Sequence, residues 1–130
     1  MPLDAANALW ILGRLLLGFY FAWAGIHHFT ELDRLTQAMA ARGVPAAGAV
    51  LVTGSVFQTV CGIALILGLW AAWAALGLVL FTLVASIMFL DFWNKEGDVR
   101  AGAIATWRTN LALIGGLLVA TAHSVGQKVA

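Results

Sequence analysis

Charge is what this sequence has least of. Seven Lys or Arg and six Asp or Glu are spread over 130 residues, 62% of the chain is hydrophobic, and the mean hydropathy is +0.95. A soluble globular domain carries about a quarter charged residues, so the composition excludes one and defines an integral membrane protein. The net charge of only +1 offers nothing to attract nucleic acid. Cysteine is nearly absent: Cys61 stands alone in an apolar run, which rules out a disulfide within the chain and a CxxC redox pair and reads as a small buried hydrophobe. Proline is missing from the interior of every apolar stretch, so the broken helices typical of transporters are not written here. Three histidines occur without HxxxH or ExxH spacing, and no metal site is expected. No serine or cysteine triad order, phosphate loop or catalytic carboxylate pair is present, and no catalytic residue is assigned. Met1 to Ala8 has no basic residue, so the first apolar stretch is expected to be a retained helix, not a signal peptide. No linker or repeat divides the chain, and a single transmembrane domain over residues 1–130 is expected.

What is there is long apolar runs. Leu9 to Ile26, extended by Asn7 and Ala8, is about 20 residues, enough to cross a bilayer as a helix. Residues 46–90 contain no charge at all, too many for one crossing and suited to two with a tight turn near Gly68, Trp70 and Trp73. From Thr109 to Gln127 charge is again absent. Four spans follow, about 7–27, 46–69, 72–90 and 107–125. Thr30 to Gly43 differs: Leu32, Leu35 and Met39 share one face, while Glu31, Asp33, Arg34, Gln37 and Arg42 occupy the others. With Thr30 as N-cap and Gly43 and Pro45 as the stop, this segment reads as an amphipathic helix lying at the interface. The expected fold is an all-α membrane protein, a four-transmembrane-helix bundle with that interfacial helix between spans one and two.

Arg34, Arg42, Lys95, Arg100 and Arg108 fall on the two connections after spans one and three, against Lys128 on the other side. The positive-inside rule then places loops 28–45 and 91–106 in the cytoplasm and both termini in the periplasm, in a multi-pass protein of the inner membrane. Tryptophan agrees: Trp10, Trp70 and Trp73 would form the outer aromatic belt, Trp93 and Trp107 the inner one, with Trp23 deeper.

The anomaly is Arg14, a side chain that cannot shed its charge, set inside the first span. It shares a face with Gly18, Ala22 and Gly25, and the second span carries a matching row of Gly54, Gln58 and Gly62. Small faces let helices approach closely, so these two spans are expected to pack together and bring Gln58 near Arg14. Gln58 can accept a hydrogen bond but cannot neutralise the charge. Asp4, Asp91, a lipid phosphate or an anionic ligand are the candidate countercharges. His27 and His28 point roughly 100° apart on a helix, so one at most faces inward. Ser86, Asp91 and Asn110 sit near the same membrane face as the histidines and would line a polar vestibule with one of them, or else form interhelical hydrogen bonds. The ligand-binding candidates are therefore Arg14, His27, His28, Gln58, Ser86, Asp91 and Asn110.

Several segments together resemble the DoxX family of small four-helix bacterial membrane proteins. They are Gly13 and Arg14, Gly18 through Phe21, and Ala24 to Phe29; Gly43 to Pro45; Cys61 to Gly68; Asp91 to Trp93; and Thr109 to Gly116. The family pattern often has a glutamate where Gln58 stands and a lysine near His28, and this chain has neither. The resemblance implies a membrane subunit associated with quinone-linked oxidation, so the cofactor it suggests is a quinone and the partners are the lipid bilayer, other membrane or redox proteins, and further copies of the chain. A subunit or accessory protein of an oxidoreductase system is expected, more than a stand-alone enzyme. It would bind a quinone or another lipophilic carbonyl-bearing or anionic ligand near Arg14. The alternative is a non-catalytic scaffold or assembly factor that binds other transmembrane helices through its small-residue faces.

Overall fold

The computed structural model describes residues 2–129, with side chains over 5–126. Five helices carry almost all of it: α1 (Pro2–His28), α2 (Leu32–Ala41), α3 (Ala47–Leu67), α4 (Ala71–Phe89) and α5 (Gly97–Val129), and no strand occurs among the described residues. Short 3-10 turns at Phe29–Glu31 and Phe92–Asn94 follow α1 and α4. Four of the helices are long and apolar enough to cross a membrane. The chain divides between Leu69 and Trp70 into two compact units.

The first unit is an antiparallel pair, α1 against α3, with α2 folded onto the start of α3. Lipid tails are as apolar as leucine, so the pair is held by close packing. Gly18, Ala22, Gly25 and Gly62 are buried in the contact. A Cβ on Gly18 would stand 2.6 Å from Gly62 O, and one on Gly62 would stand 2.6 Å from Ala22 N. A Cβ on Gly25 would run into Thr59 Oγ1. Large apolar side chains such as Leu16, Phe19 and Trp23 stay uncovered on the far side of α1, as suits a helix facing lipid.

Helix α2 is amphipathic, with Met39 buried and Asp33, Arg34 and Gln37 exposed. It ends in a Schellman closure: Gly43 N donates to Ala40 O and Val44 N to Met39 O, with Gly43 at φ +84°. Its start differs from expectation. Thr30 does not cap it; its hydroxyl donates back to His27 O at 2.7 Å, and the helix begins only at Leu32. A threonine just past a helix finds an orphan carbonyl behind it as readily as an amide ahead.

The second unit pairs α4 with α5 around Ala75, Leu78 and Leu117, which are fully buried. Here α5 starts at Gly97, about ten residues before the apolar stretch that marks its span. Much of what reads as the loop 91–106 is therefore helix. Arg100 and Arg108 are exposed on it and Asp98 lies in its first turn, where a carboxylate is favourable. Charge shows where the membrane ends; it does not show where a helix ends.

Candidate functional site

Arg14 lies on the face of α1 that meets α3, but its neighbour is Gly68 and not Gln58. Helix α3 closes at that glycine by a second Schellman motif, in which Gly68 N donates to Leu65 O at 3.3 Å and Leu69 N to Ala64 O at 2.9 Å. Gly68 takes φ +75°, and a Cβ there would stand 2.9 Å from Arg14 Nη1 and 3.0 Å from its Cζ. One glycine thus turns the chain and makes room for the guanidinium. On its own helix Arg14 has Trp10 one turn back, with the guanidinium carbon 5.6 Å from the ring centroid, within cation–π range. Its Nε is buried without a hydrogen-bond partner. Among the described residues no carboxylate pairs with it; Asp4, a candidate countercharge, has its side chain outside them.

Gln58 is buried at 4% exposure, and its amide nitrogen donates to Phe21 O at 3.0 Å. Phe21 is seven residues from Arg14, about 10 Å along the helix, so the two candidates lie on one interface at different depths. Their expected pairing does not form. An antiparallel pair that sets Gly18 against Gly62 must set Arg14 against the end of α3 and Gln58 against α1 near Phe21 and Ala22.

Near its C-terminal end, α1 turns His28 toward α3, where Nδ1 lies 2.9 Å from Ser55 Oγ. His27 faces away, exposed and 3.9 Å from Glu31. Ser55 is buried, and its backbone carbonyl accepts from Thr59 Oγ1 at 2.8 Å. Neither Ser55 nor Thr59 stands out in the sequence, because hydroxyls on a membrane helix most often serve their own backbone.

In the second unit Asn110 Nδ2 donates to Ser86 Oγ at 2.9 Å, so these two candidates meet. Trp107 Nε1 donates to Leu90 O at 2.6 Å, using a carbonyl at the α4 terminus. Asp91 pairs with Lys95 at 2.8 Å, both side chains under a fifth exposed, and accepts from Asn94 at 3.3 Å. The Ser86–Asn110 and Asp91–Lys95 pairs lie between residues of one unit and satisfy each other.

Chemically, among the described residues of the unit around α1 and α3, the Arg14 Nε is the one buried side-chain nitrogen or oxygen without a hydrogen-bond partner, and its guanidinium stands beside a flat indole. Such a set fits a carbonyl oxygen on a ring. No three His, Cys, Asp or Glu side chains converge as a metal would need among the described residues.

Four membrane-length helices, small-residue packing and an intramembrane arginine define a small multi-pass membrane protein. A family model described as DoxX matches residues 9–91, well over half of the chain, and the chain belongs to the DoxX family. The match starts in α1, ends just after α4 and includes Arg14, Gln58 and Gly68; the Thr109–Gly116 stretch lies beyond it. Comparisons with curated proteins and with solved structures give no match.

Proposed function

We propose that this protein is a redox-associated subunit of the inner membrane that binds a quinone, or another lipophilic carbonyl-bearing or anionic ligand, at Arg14. The observation that carries the reading is a guanidinium inside a membrane helix whose Nε has no acceptor and which no carboxylate among the described residues neutralises. Intramembrane charge is costly and tends to mark function. The burial of Gly18, Gly25 and Gly62 supports a ligand reading over a helix-docking one on this face, because those small residues are already used by α1 and α3. The excess of Lys and Arg on the connections after spans one and three supports an orientation with both termini periplasmic. Arg14 would then open toward the periplasmic leaflet. Quinone-analogue binding to purified wild type, Arg14→Lys and Arg14→Gln tests this. Affinity should fall in Arg14→Gln; equal affinity in all three, or no binding to any, removes the idea.

A second reading, a scaffold or assembly factor, is favoured by one feature. Ala105, Thr109, Ala112, Gly115, Val119 and Ala122 recur every three or four residues along α5, and all are exposed. A partner helix or a second copy could pack there. Gly115→Leu should abolish such association in detergent and leave quinone-analogue binding intact.

A further inference from the structure

We infer that Arg14 selects a neutral carbonyl ligand over an anionic one, an inference that rests on the ligand-binding reading above. The guanidinium is seated against Gly68, at the C-terminal end of α3. A helix presents about half a negative charge at that end. The Schellman closure takes up the carbonyls of Ala64 and Leu65, which leaves those of Ile66 and Leu67 as the negative terminus beside the cation. The Trp10 ring adds the negative face of its π system. The charge is thus partly offset by groups that cannot move away. An anion approaching the guanidinium would meet the same helix terminus and would have to shed its hydration in a medium of low dielectric constant. A neutral carbonyl oxygen asks only for an N–H donor, and a guanidinium has five. The seat therefore favours a ligand that uses Arg14 as a hydrogen-bond donor and does not need its full charge.

The probes are a neutral methyl naphthoquinone and its hydroxy analogue, an enolate anion at neutral pH. Both are titrated onto the full chain in bilayer discs of phosphatidylcholine and of phosphatidylglycerol. The neutral quinone should bind roughly tenfold more tightly, with the same affinity in either lipid. Gly68→Asn, which tolerates the left-handed backbone but places a Cβ against the guanidinium, should narrow that preference. Equal affinities, or tighter binding of the enolate, overturn the inference and leave ligand binding at Arg14 standing. Loss of neutral-quinone binding in phosphatidylglycerol alone also overturns it, by showing that a net anionic lipid headgroup takes the site. If the wild type binds neither probe, the ligand reading itself fails and the inference goes with it. Should Gly68→Asn not fold, the wild-type comparison decides.

Discussion

One methyl group added at Gly62 tests the packing of α1 on α3 directly. The new Cβ would stand 2.6 Å from Ala22 N and 2.8 Å from Gly18 O, both backbone atoms that no rotamer change can clear. Ordinary contact begins near 3.4 Å, so the helices must part by roughly 0.6 to 0.8 Å, a gap that forfeits a quarter to a half of the attraction of each atom pair it opens. Those pairs run along the whole interface from Gly18 to Gly25, and the Gln58 bond to Phe21 O stretches with them. Overpacking of this kind costs about 1–3 kcal/mol, and the better helix propensity of alanine returns up to about 1 kcal/mol. Gly62→Ala should therefore destabilise the protein by about 1–2 kcal/mol. Gly13→Ala is the control, because nothing lies within 4 Å of a Cβ there and the change should be neutral or slightly stabilising. Reversible unfolding in mixed micelles, with sodium dodecyl sulfate as denaturant and tryptophan fluorescence as readout, gives both values. A Gly62→Ala protein as stable as the wild type, or a Gly13→Ala protein equally damaged, would refute the close approach.

The polar contacts make smaller predictions. Gln58→Leu removes the donor to Phe21 O but leaves that carbonyl its helical partner, so the loss in the same unfolding assay should be about 1 kcal/mol or less. Trp107→Phe keeps an aromatic ring against Phe92 and deletes the 2.6 Å bond to Leu90 O; about 1 kcal/mol of stability should go with it. Asn110→Leu should cost more than Ser86→Ala, since it strips the buried Ser86 hydroxyl of its donor and adds bulk beside it; a reversed order would mean that the amide is not seated there.

Span number, the helical class and the partnership of α1 with α3 were legible because each is written as a pattern. Apolar length reports hydrocarbon thickness, and rows of Gly and Ala report where backbones meet. Single contacts were less so. The expected Arg14–Gln58 pair came from depths measured from assumed helix ends, and the Gly18–Gly62 crossing sets a register that separates them. Gly68 reads in the sequence only as a turn residue, because nothing local says that a cation from another helix rests on it. The early start of α5 was hidden for the opposite reason: Asp98 and Arg100 look like a loop to a hydropathy argument, while the backbone forms a helix in water as well as in lipid.

The structure also changes what an Arg14 without a carboxylate partner among the described residues means. A charged side chain at mid-membrane costs upward of about 2.5 kcal/mol. A helix C-terminus returns about 0.3–2 kcal/mol to a cation beside it, and an indole face about 0.5–2 kcal/mol. Together these approach the cost without any carboxylate from the described residues. The absence of a countercharge among the described residues therefore does not by itself call for an anion. What the fold leaves unused is donor capacity, in the buried Nε and a guanidinium whose place is set by Gly68 and Trp10. A lysine at this position would keep the charge and lose the planar fork, so Arg14→Lys should bind a carbonyl ligand more weakly than the wild type while folding as well. If the two bound equally, charge alone would be the recognised feature, and the role assigned to the guanidinium's donors would be wrong.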